Sequence, residues 1–187
     1  MSEWIFGLGV IWLGALSWFD LRRNEIPSSA WVIVPLAGAL LYRVYQGGWQ
    51  LVLLTILVAA ASERERLSGK LGLRRIAFLS FWIPPLLLGG WLCLARVPLA
   101  ALGILAFWIA WETGSWGGAD AVASMTLLLV YPELDFLLVF TGVHLMAALV
   151  LSFYSLVREK RFRTHHIPGL PLLFLSVVGY RLVGLFY

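Results

Sequence analysis

The chain has 187 residues, of which 61% are hydrophobic and 13% charged, with a mean hydropathy of +0.88 and a net charge of +4. So little polar surface excludes an ordinary soluble globule, and basic residues gathered in short stretches between apolar runs are a topology signal rather than a nucleic-acid footprint. The single cysteine, Cys93, lies in an apolar run and excludes a disulfide framework or a Cys-based zinc site. The expected class is all-α: a polytopic membrane bundle of about eight hydrophobic segments, six to eight of them transmembrane helices, forming one domain over residues 1–187.

Trp4 to Phe19 is the first apolar run. Arg22 and Arg23 follow it without a small-residue cleavage pattern, so it reads as a retained helix with its N-terminus outside. At about 1.5 Å per residue the run spans roughly 24 Å, short of the roughly 30 Å hydrocarbon core. The helix is therefore expected to use Met1 to Glu3 and to run to or past Asp20.

Ile26-Pro27-Ser28-Ser29 restarts a helix, because proline suits a first turn and serine caps one, and the run Trp31 to Tyr45 leads to a turn at Gly47-Gly48. Trp49 to Ala61 is short and enters residues 62–75, which carry five basic and two acidic residues. Ile76 to Ala95 contains Pro84-Pro85, expected to kink or break its helix. Arg96-Val97-Pro98 turns on the outer side, and Leu99 to Trp111 returns to Gly117-Gly118-Ala119-Asp120, whose glycines are expected to permit a sharp re-entry. A short helix then ends at Tyr131-Pro132-Glu133. Phe136 to Val157 crosses inward to the basic stretch Arg158 to His166, and Pro168-Gly169-Leu170-Pro171 starts the last outward run to Tyr187.

Along this path both termini lie outside, and eleven of the fourteen Lys and Arg residues fall in the three stretches assigned to the cytoplasm, as the positive-inside rule requires. Asp20 and Asp120 come out on that same face. The runs Trp49 to Ala61 and Asp120 to Tyr131 are too short to span comfortably, which leaves six full spans and two partial ones open.

An ionisable residue at the edge of a membrane segment is a functional candidate. Two carboxylates within hydrogen-bond reach share a proton, so the ionised one activates water while the protonated one polarises a carbonyl, which is aspartic-protease chemistry. Asp120 opens a helix, where the positive dipole end favours a carboxylate and hence the base; Asp20 closes one, which favours the acid, although Arg22 and Arg23 act the other way. Glu112, near the inner end of its helix, is the third candidate acid. Glu25, Glu63 and Glu65 lie near the same face, Glu63 and Glu65 as parts of a solvated loop, and Glu133 and Asp135 fall on the outer side. His165-His166 read as solvated or headgroup contacts rather than metal ligands, His144 as a packing residue, and Trp4, Trp31, Trp49, Trp111 and Trp116 as an interfacial belt. No metal or cofactor is expected.

The sequence around the two acids resembles the type IV prepilin peptidase family, particularly its archaeal preflagellin and prepilin peptidases. Asp20, with Glu25, Ile26 and Pro27, matches the pattern Asp-x-x-x-x-x-Ile-Pro, and Gly117, Gly118, Ala119 and Asp120 match the Gly-x-Ala-Asp form of the Gly-x-Gly-Asp signature. The resemblance extends to Leu129-Val130-Tyr131-Pro132 and to Ile167-Pro168, and so covers nearly all of the chain. It implies a membrane aspartic endopeptidase with Asp20 and Asp120 catalytic and the other motif residues in support. Such an enzyme removes the short basic leader from type IV prepilin-like or preflagellin precursors at the cytoplasmic face, cutting after a residue that is usually glycine, just before the hydrophobic helix. The implied partners are these precursors and the lipid bilayer, with no nucleic acid.

Longer bacterial members carry a four-cysteine zinc-binding insert and N-methylate the new amino terminus. Here the loop after Ala61 is short and Cys93 stands alone, so methyl transfer is not expected, and Val122 occupies the place where bacterial members often have Lys. A proton-coupled carrier is the alternative from another class, but it would place acids nearer mid-membrane and show repeat symmetry, and neither is visible. A presenilin-like intramembrane protease shares the Gly-x-Gly-Asp idea but has Tyr-Asp and Pro-Ala-Leu motifs, whereas Asp20 follows Phe19 and the last helix reads Gly169-Leu170-Pro171-Leu172.

Overall fold

A computed structural model describes residues 3–23, 28–64, 80–95, 98–159 and 169–184. The fold is all-α: among the described residues there are eight α-helices and no strand. They are α1 Glu3–Arg23, α2 Ala30–Tyr45, α3 Trp49–Ser62, α4 Ile83–Ala95, α5 Pro98–Glu112, α6 Gly118–Val130, α7 Leu134–Glu159 and α8 Gly169–Val183. They gather in two compact units, Met1–Trp31 with Leu134–Tyr187, and Val32–Glu133.

In the first unit α1 packs on α8, and α8 on α7. Glu3 at the start of α1 pairs with Arg181 near the end of α8, and the Phe136 ring at the start of α7 meets Tyr180 edge-on at 5.7 Å. Both α1 and α7 therefore run antiparallel to α8, and the ends of α1 and α7 lie with the start of α8. Leu13, Leu16, Phe136, Leu170, Leu173 and Val177 are buried there. As expected, α1 takes in Glu3 and passes Asp20 to reach Arg23; Met1 and Ser2 lie outside the described residues. By length and composition its Glu3–Arg22 portion is the one described helix able to cross a membrane; the other apolar helical stretches have 10–17 residues.

Helix α2 opens with the Ser28 hydroxyl accepting from the Ala30 N–H at 3.2 Å, the serine cap expected from the sequence. Inside it Pro35 has no N–H for the Trp31 carbonyl one turn earlier. The Trp12 indole N–H supplies the missing donor at 2.7 Å, so the proline is carried without an orphaned acceptor.

In the second unit α3, α4, α5 and α6 pack together. Pro84 and Pro85 fall in the first turn of α4, where no intrahelical N–H is needed. The break lies in the turn at residues 81–82, so the prolines start a helix rather than kink one running from Ile76; residues 76–79 lie outside the described ones. Helix α6 is enclosed: Ala121 and every residue from Ala123 to Leu129 are buried, the signature of a core helix rather than of one presenting a face to a solvent.

Candidate active site

Asp120 is placed by the connection from α5 to α6. Helix α5 ends in a Schellman turn, in which the Gly114 N–H donates to the Trp111 carbonyl and the Ser115 N–H to the Ala110 carbonyl, both at 3.0 Å. Gly114 has φ +71°, so the left-handed residue is this glycine and not one in the Gly117-Gly118 pair, where the sharp re-entry is expected from the sequence. The Ala110 carbonyl also accepts from the Ser115 hydroxyl at 2.9 Å and the Thr113 hydroxyl at 3.1 Å, which ties the turn to the end of α5. Gly114→Ala is expected to cost about 1–2 kcal/mol, the penalty of a Cβ in left-handed backbone, read as a lower thermal midpoint.

Gly117 is the N-cap of α6, with extended backbone at φ −67° and ψ 145° and no side-chain cap. The two motif glycines matter through the space they leave. A Cβ on Gly118 would lie 2.9 Å from Trp111 Nε1, so glycine is what lets the first residue of α6 rest on the indole. A Cβ on Gly117 would lie 3.1 Å from Asp120 Oδ2, so the carboxylate folds back over the bare N-cap. Asp120 is half-buried in the first turn of α6, at the positive end of the helix. The Ser124 hydroxyl donates to its carbonyl at 2.7 Å.

Asp20 is in the last turn of α1, half-buried, with Oδ2 shielded from solvent. On the same stretch of helix the Arg22 guanidinium lies 3.9 Å from the Trp18 ring centroid, one turn back. Phe19 meets Trp31 edge-on at 5.7 Å and ties the end of α1 to the start of α2. Glu25, Ile26 and Pro27 lie outside the described residues, as do His165 and His166. Asp20 and Asp120 belong to different compact units.

Glu112 is engaged by other side chains. Its Oε2 accepts from Arg64 Nη1 at 2.6 Å and its Oε1 from the Trp108 indole N–H at 3.2 Å. Arg64 therefore leaves the solvated loop to which its sequence neighbours assign it. The partner is 48 positions away, which local pattern does not reveal; the one signal in the sequence is that both residues close helices on the same face. His144 behaves as a packing residue, with Nδ1 2.9 Å from the Phe140 carbonyl and its ring 4.1 Å from that of Phe140. Trp4, Trp31 and Trp49 are exposed, but Trp111 rests on Gly118 and Trp116 stacks on Phe107 at 5.1 Å, so two of the expected belt tryptophans pack around the turn before Asp120. Among the described residues no group of three or more His, Cys, Asp or Glu is placed to hold a metal ion. Comparison with protein-family models, curated proteins and solved structures finds no match to this chain.

Proposed function

We propose that this chain is a multi-pass membrane aspartic endopeptidase that uses Asp20 and Asp120 as a catalytic pair to remove the basic leader from prepilin-like or preflagellin precursors at the cytoplasmic face. The observation that carries the reading is the placement of each acid within its own unit. Asp20 closes α1 just before Arg22-Arg23, at the end where α7 runs out into Arg158 and α8 begins. Asp120 opens α6 at the end where α3 runs out into the basic stretch 62–75, because Arg64 is joined to Glu112 at the end of α5. The Gly47-Gly48 turn belongs to the opposite end. Helices that cross a bilayer in alternation under the positive-inside rule produce this arrangement.

The surface supports the bilayer. Leu94 is 91% and Trp4 82% exposed, and Ile11, Leu41, Leu87 and Phe153 are exposed as well, an apolar surface that water would penalise and lipid would accept. A precursor anchored by its own apolar helix then presents its leader at the interface. In the proposed reaction ionised Asp120 takes a proton from water as the water oxygen attacks the scissile carbonyl carbon. Protonated Asp20 donates a hydrogen bond to the carbonyl oxygen, and collapse of the tetrahedral species breaks the C–N bond as the proton that Asp120 took from water passes to the leaving amine.

The test is cleavage by the purified wild-type protein in nanodiscs of a panel of prepilins, preflagellins and a control membrane helix with a basic N-terminal extension. The expected product, read by mass, is a precursor shortened to just before its hydrophobic helix, with the control intact. A folded wild type that cuts no member of the panel overturns the reading.

A further inference from the structure

We infer that Arg64 and Glu112 are positioning residues for Asp120, a role that rests on the peptidase reading for its catalytic consequence. Their side chains are only 15% and 11% exposed, and a buried ion pair seldom stabilises more than apolar residues of the same volume would. What such a pair supplies is direction. Arg64 Nη1 donates both to the Ala61 carbonyl at 3.0 Å and to Glu112 Oε2, and both Glu112 oxygens are taken, the second by Trp108. The Arg64 guanidinium stands 5.2 Å from the Trp82 ring, and Trp82 lies against Trp108 at 4.7 Å. The last residue of α5 is thereby locked to the end of α3 and the entry to α4.

That lock reaches the acid in two steps. Trp111 precedes Glu112 and carries Gly118 on its indole, and Gly118 is the first residue of the helix turn that holds Asp120. Rotation of the last turn of α5 would move the indole, and the start of α6 with it. Displacement of a reacting group by about 1 Å costs on the order of 10²-fold in rate.

The variant that separates positioning from stability is Arg64→Met with Glu112→Leu, which removes both charges together. The chain has three aspartates, Asp20, Asp120 and Asp135, so carboxyl-13C aspartate labelling gives three signals, assigned by single Asp→Asn variants. The double variant is expected to fold, to keep KM within about twofold, to lose about 10–100-fold in kcat, and to shift the Asp120 signal, that of its proton-sharing partner Asp20 with it, while that of Asp135 stays in place. Wild-type kcat with an unmoved Asp120 signal overturns the inference. If the double variant does not fold, Arg64→Lys carries the test: it keeps the charge but loses the planar guanidinium beside Trp82 and its reach, and the same two readings decide. The carboxyl signal needs no substrate, so a shifted signal in a protein whose wild type cuts nothing would sink the peptidase reading and leave the positioning of Asp120 standing.

Discussion

For the proposed peptidase, replacing either Asp20 or Asp120 with Asn is expected to lower kcat for precursor cleavage by about 10²–10⁴-fold, the contribution of a placed acid or base. Asn keeps the shape of the side chain, so folding and KM remain close to wild type. In Asp120→Asn the charge at the head of α6 is gone, and no acceptor is left for the proton of the attacking water. In Asp20→Asn an amide can still donate a hydrogen bond to the carbonyl oxygen, a weaker one than a carboxylic acid gives, so this variant retains the larger residue of activity. The double variant falls no further than the worse single one, because two groups that act as a unit lose their effect together. Rates are measured on reconstituted protein matched for folded fraction, and wild-type kcat in either single variant removes the paired mechanism.

Both acids stand out in the sequence because they interrupt apolar runs at helix ends, and that kind of information is local. The extension of α1 past Asp20 is legible for the same reason, since too few apolar residues precede it to reach across a bilayer. The role of Pro84-Pro85 is not, because a proline pair breaks a long helix and starts a short one with the same sequence signal, and the difference rests on where the preceding segment ends. Two adjacent glycines at 117 and 118 draw attention away from the left-handed turn at Gly114, although their use is to leave space for Trp111 and for the carboxylate of Asp120. Pairing of Arg64 with Glu112 is signalled only by their common place at helix ends on one face, and Glu63 and Glu65 beside the arginine offer nearer partners. Only the packing of α3 on α5 chooses between them.

Arg64→Ala is expected to destabilise the second unit strongly. It leaves the Glu112 carboxylate largely buried with one hydrogen bond from Trp108 and no countercharge, a loss of about 3–5 kcal/mol. The single cysteine supplies the measurement, since Cys93 is half-buried on α4 and a thiol-reactive dye reports when that helix opens. The pair between Glu3 and Arg181 is the control. It is far more exposed, and Glu3→Gln is expected to change stability by no more than about 1 kcal/mol. Equal effects at the two pairs would show that burial is not what distinguishes them.

The first unit is assembled from segments on either side of the second, and this sets an order of events during synthesis. At translation rates of about 5–20 residues per second, α1 waits on the order of ten seconds before α8, the helix it packs against, leaves the ribosome. Throughout that interval α1 has no tertiary neighbour from its own unit's C-terminal half, only the start of α2, which Trp12 and Phe19 hold through Trp31. The second unit is contiguous in sequence, so its shorter helices meet one another soon after they emerge. The one described helix with the length and apolarity to cross a membrane is also the one that waits longest for its partner.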